Sequence, residues 1–141
     1  MTDLQTELTG WCQSYVDAFN EGDADAIAAH WTFPALTTQA ERSYTFKSAE
    51  HFAKNTGILL GFYEAQGVQC VVRQLEACHV LHDGVASMTV SDVMYDADGA
   101  EIAGWQAAYV LQRVSGAWRA VMAVADGETD AWTARGTPLG G

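Results

Sequence analysis

The chain has 141 residues, 49% hydrophobic and 18% charged, which supplies enough apolar surface to order one sizeable core and excludes global disorder. Seven Lys and Arg stand against 18 Asp and Glu, a net charge of -11. Such a chain repels nucleic-acid backbones and anionic membrane surfaces, so neither is expected as a partner.

Met1–Gln5 has neither the basic start nor the apolar run of a secretory leader, and no apolar stretch approaches membrane-spanning length. Cys12, Cys70 and Cys78 are odd in number and lack CxxC spacing, which argues against a disulfide framework and a zinc site. Reduced thiols and a cytoplasmic location are the expectation.

From Leu4, apolar residues recur at three- and four-residue steps through Leu8, Trp11, Cys12, Tyr15, Val16 and Phe19, one face of a first helix. Thr2 and Gln5 have capping-box spacing, and Gly22 offers a helix end. Asp23 then caps a shorter second helix carrying Ile27, Ala28 and Trp31, which Pro34 should stop because its ring blocks continuation. Ser43–Phe46 reads as a short strand. Ser48 caps a third helix, with Glu50 in its first turn, Phe52, Leu59 and Tyr63 along one stripe, and Gly67 at its end.

After Gly67 the period becomes two, with Arg73, Leu75, Ala77, His79 and Leu81 sharing one side of a first long strand. His82-Asp83-Gly84 turns into a second strand that runs to Asp96, and Asp98-Gly99 is a hairpin signal. A third strand passes through Trp105, Tyr109 and Leu111 to a Ser115-Gly116 turn, and a fourth spans Trp118 to Val124. One domain over residues 1–126 is expected, followed by a tail, 127–141, whose only anchor is Trp132.

Tyr15 to Trp31 resembles the opening two helices of the NTF2-like superfamily. Tyr109 to Val121, with its Trp118-Arg119 pair, looks like the hairpin that closes SnoaL-like and ketosteroid-isomerase-like members. The resemblance implies an α+β cone, three N-terminal helices packed on a curved, mainly antiparallel sheet. It leaves function open, because this fold hosts isomerases, dehydratases, cyclases, hydrolases and binding proteins. Where ketosteroid-isomerase-like members keep a catalytic carboxylate, this chain has Ala35-Leu36-Thr37-Thr38-Gln39, none of which can act as that base. Tyr15 does match their oxyanion-stabilising tyrosine, but without a partner base the packing of a tyrosine on the apolar stripe of the first helix is the favoured account.

Asp92 shares a strand face with Ala86, Met88, Val90 and Met94, where a buried charge must be paired or perturbed. It is a candidate acid or base, and pairing with Arg73 is the structural alternative. His79 is positioned to share a pocket with it. His30, His51 and His82 fit a helix end, a helix start and a turn. No HxH or HExxH spacing, GxGxxG or phosphate-binding loop is present, so no metal and no cofactor is expected.

Three readings follow. The first is a protein that binds a small apolar or aromatic molecule in the cone, with Tyr15, Trp31, Tyr63, Trp105, Tyr109 and Trp118 as candidate lining. The second is a cofactor-free lyase or isomerase using Asp92 with His79 or Tyr15. The third is a structural dimerisation module with a filled core. Strand alternation also leaves a second, partly apolar sheet face with Val80, Val93 and Val110, which predicts a homodimer through the sheet.

Overall fold

A computed structural model describes residues 3–39 and 41–139. The first helix, α1 (Leu4–Asn20), begins where the Asp3 carboxylate accepts from the Thr6 backbone N–H at 2.8 Å. Thr2, the expected cap, lies outside the described residues. Leu8, Trp11, Cys12, Tyr15 and Val16 form the buried face of α1, as the spacing predicts. Asp23 caps α2 (Ala24–Ala28) and Ser48 caps α3 (Ala49–Ala65), each accepting a backbone N–H of the first turn.

Six strands build one sheet: β1 (Trp31–Gln39), β2 (Arg42–Phe46), β3 (Cys70–His82), β4 (Val85–Tyr95), β5 (Glu101–Val114) and β6 (Ala117–Val124). Their order is β2-β1-β6-β5-β4-β3, and every pair is antiparallel except β1 with β6. The α+β cone and the long meander therefore stand as expected. Along β4, Ala86, Met88, Val90, Asp92 and Met94 are all buried, so this alternation marks the inner face. The core continues on both sides of it, around Trp31 and Tyr109 and around Trp132.

Three expectations are corrected. The second helix stops at Ala28, and Trp31 opens β1 instead of extending the helix. Pro34 is tolerated in that strand because it falls in the break of register between Trp31 and Leu36, where no ladder hydrogen bond needs its missing N–H. The expected tail is largely a fourth helix, α4 (Asp126–Arg135), which lies on β5 and buries Trp132 completely. Gly140 and Gly141 of that tail lie outside the described residues.

The third correction concerns β3, where an irregularity between Leu75 and Ala77 places one extra residue opposite β4. Alternation reverses there: Val71, Arg73 and Leu75 point inward before it, and Cys78 packs on the core after it. His79 is consequently exposed.

Candidate functional site

The helices and the inner face of the sheet enclose a cavity of about 250 Å³ with mainly apolar walls, including Phe19, Trp31, Phe52 and Trp105. Exposed residues Asn55, Ile58 and Val124 also border it, which places its mouth between α3 and the end of β6. Polar side chains reach this apolar space from strands including β3, β4 and β5, and from the helices α1, α3 and α4.

Asp92 and Arg73 are register partners across β4 and β3. Arg73 Nε donates to Asp92 Oδ1 at 2.7 Å and Nη2 to Oδ2 at 2.8 Å, a bidentate pair with side chains 6% and 5% exposed. The same Nη2 donates to the Tyr109 hydroxyl at 2.8 Å, and the guanidinium stands 5.2 Å and 4.9 Å from the Tyr15 and Tyr109 ring centres. Removing either partner would strand a buried charge, at a cost of about 3–5 kcal/mol. Asp92 is thus in the cavity wall with both oxygens engaged, which leaves it poorly placed to exchange a proton.

Tyr15 accepts from Trp31 Nε1 at 3.0 Å, as Tyr109 accepts from Arg73. Burial pushes both phenols up, so both stay protonated at neutral pH. Neither hydroxyl proton has an acceptor among the described residues, and both side chains border the cavity. They can donate to an oxygen of a bound molecule.

Glu128 enters the cavity from the first turn of α4. The Tyr63 hydroxyl donates to its Oε2, and so does Trp132 Nε1 at 3.2 Å, one helical turn along. Burial pushes the carboxyl up to about 7; these two hydrogen bonds oppose the rise, and the nearby Asp92 adds to it. A group that titrates there can hold or release a proton under ordinary conditions. Its position depends on Gly127, where a Cβ would overlap the Gln106 carbonyl oxygen of β5. Glycine lets α4 start flush against the sheet.

Of the residues expected to line a pocket, Tyr15, Trp31, Tyr63, Trp105 and Tyr109 do so. Trp118 does not. It sits by the β5–β6 turn, under the Arg113 guanidinium at 4.4 Å, and donates to Glu7 of α1 at 3.0 Å. His79 cannot share the pocket with Asp92, since the irregularity in β3 turns it outward. Glu128 escaped sequence reasoning because a lone acid in a polar, glycine-bearing segment reads as solvated; its four-residue spacing to Trp132 was the available signal. Among the described residues, no group of three or more His, Cys, Asp or Glu is placed to hold a metal ion, and no helix is long and apolar enough to cross a membrane.

A family model described as NTF2-like protein (DUF6841) matches residues 6–128. No curated protein matches the sequence. Among solved structures, an NTF2-like protein of unknown function from Shewanella oneidensis is 8% identical with a TM-score of 0.69, covering 85% of this chain and 96% of its own. A ketosteroid isomerase-like protein from Erwinia carotovora atroseptica is 16% identical with a TM-score of 0.64, covering 88% and 95%. An NTF2-like protein with a cystatin-like fold from Novosphingobium aromaticivorans is 18% identical with a TM-score of 0.63, covering 88% and 89%. At these identities the likeness is one of fold.

Proposed function

The chain belongs to the NTF2-like family, in the branch described as DUF6841, and from that premise we propose that it binds a small, largely aromatic or apolar organic molecule inside its cone. The observation that carries this reading is the cavity of about 250 Å³, apolar in its walls and with a few polar tips converging on it. Two tyrosine hydroxyls offer protons near Arg73, and one carboxyl offers an acceptor. Such a sparse polar set orients a ligand while ring contacts supply most of the attraction.

The test uses Ala107, which borders the cavity on β5. A thermal-shift screen of small aromatic ketones and phenols is expected to raise the melting temperature, because binding to the folded state alone stabilises it. Ala107→Phe is expected to abolish that shift at modest cost to folding, since the space it fills is open. A filled core would instead lose about 1–3 kcal/mol through overpacking. That loss, with no compound shifting the wild type, would return the protein to the structural-module reading.

A second reading, a cofactor-free lyase or isomerase, draws on the same cavity. Its acid or base would be Glu128 instead of Asp92 or His79, with Tyr15 or Tyr109 donating to the substrate oxygen. Turnover of any bound ketone that disappears in Glu128→Gln while binding persists would select this reading.

A further inference from the structure

Both hydrogen bonds that Glu128 receives among the described residues end on one oxygen, Oε2, from Tyr63 and from Trp132. With the lone pairs of Oε2 engaged, the neutral carboxyl carries its proton on Oε1, and the ionised carboxylate presents Oε1 as an acceptor without a partner among the described residues. Glu128 borders the cavity, and Oε1 is the side of its carboxyl left for an occupant to meet.

The charged and titratable groups around it come from every neighbouring element: Tyr63 from α3, Arg73 from β3, Asp92 from β4, Tyr109 from β5, and Asp126 from the first turn of α4. Tyr63 and Tyr109 are held neutral by burial. Arg73 and Asp92 cancel in sum as an ion pair. Among the described residues, the groups that hydrogen-bond to Glu128, Tyr63 and Trp132, carry no positive charge, so its ionised form brings a negative charge to the cavity without a bonded cation. Aromatic rings that favour cations border the same space, among them Phe19, Tyr63 and Trp105.

We propose that the cavity takes a small organic ammonium ion with an aromatic body, its N–H donating to Glu128 Oε1. This inference rests on the reading that the cavity binds a small molecule, and it names the chemical class. An ammonium neutralises the half-buried carboxylate of Glu128, where a carboxylate ligand at the same oxygen would set two like charges side by side. Because Glu128 titrates near neutral pH, the incoming cation expels its proton. A neutral ligand of the same shape does not.

Tyramine, tyrosol and phloretate share a phenol on a two-carbon arm and differ in the head group: ammonium, hydroxyl and carboxylate. Titration calorimetry of the full chain at neutral pH is expected to show tyramine binding about tenfold tighter than tyrosol, and phloretate not at all. Proton release on tyramine binding should appear as different heats in phosphate and Tris buffers. Glu128→Gln, which conserves shape and can still accept from Tyr63 and Trp132, is expected to lose the tyramine advantage and the proton release. A circular dichroism spectrum and cooperative unfolding like those of the wild type separate this result from misfolding. Tyrosol or phloretate binding the wild type as tightly as tyramine, or a variant that keeps the preference, overturns the ammonium assignment and leaves cavity binding standing. If none of the three binds at millimolar concentration while indole or naphthol does, the assignment fails alone. Failure of every compound removes the cavity-binding reading with it.

Discussion

The carboxyl of Glu128 should make stability depend on pH in a direction opposite to that of most surface acids. Its folded value is raised to about 7 from the ordinary 4.5, so between those values the folded chain holds a proton that the unfolded chain has lost. Stability from this group is then fully present below 4.5 and is lost as pH rises through about 7. The full shift corresponds to about 3 kcal/mol, an upper bound because the Glu128 side chain is only half-buried. Glu128→Gln removes the titration. In chemical denaturation the variant is expected to match or trail the wild type near pH ~5 and to exceed it near pH ~8. A difference that stays constant across that range would show that Glu128 does not change charge in the folded protein. Asp92, by contrast, was legible in the sequence as a charge on an apolar face, and so was its partner Arg73. Pairing, the blander of its two readings, is what the register across β3 and β4 produces.

At the scale of elements, the contact of α4 with β5 decides whether the acid stands in the cavity at all. Gly127→Ala introduces a Cβ against the Gln106 carbonyl oxygen, which is main chain and cannot swing aside. The start of α4 must lift, carrying Glu128 off its bonds with Tyr63 and Trp132. Thermal unfolding of this variant is expected at lower temperature, by about 1–3 kcal/mol in stability, together with weakened binding in the thermal-shift screen. Full retention of both would separate the glycine from the site. This helix was illegible beforehand for a physical reason: it buries a single residue, Trp132, so no apolar stripe repeats along it. The first strand was hidden differently, since Pro34 is a poor strand residue except where register breaks, and a break cannot be seen before the partner strand is known. The reversal in β3 is of the same kind. Leu75, Ala77, His79 and Leu81 keep a clean period of two on paper, and only pairing with β4 shows the extra residue that turns His79 outward. Long amphipathic elements with buried stripes, α1 and β4 above all, were readable because many residues repeat one instruction.

For the molecule as a whole, bare apolar surface lies on β3. Val72 and Leu81 are 53% and 57% exposed along this edge strand, and Val72 pairs with Val93 on the outer face, surface that single chains seldom leave bare. Val80, expected on that face too, stands opposite the inward Ala86 instead, because the irregularity in β3 reverses the alternation. A second copy, docked through the sheet, is the proposed cover. Sedimentation or light scattering is expected to report a dimer, and Val72→Asp to shift it toward monomer. A wild-type monomer at all practical concentrations would refute it. One further consequence lies in the parallel pairing of β1 with β6, which joins Trp31 to Ala120. On the ribosome the N-terminal helices emerge long before the strands that cover them, because α1 rests on β3 and β1 needs β6 beside it. Trp11, Tyr15 and Trp31 shelter one another only in part, through the Trp11–Tyr15 stack and the Trp31–Tyr15 hydrogen bond. The rest of their cover, Tyr109 and β6, lies far along the chain, so packing of this aromatic group should wait until β6 has been made.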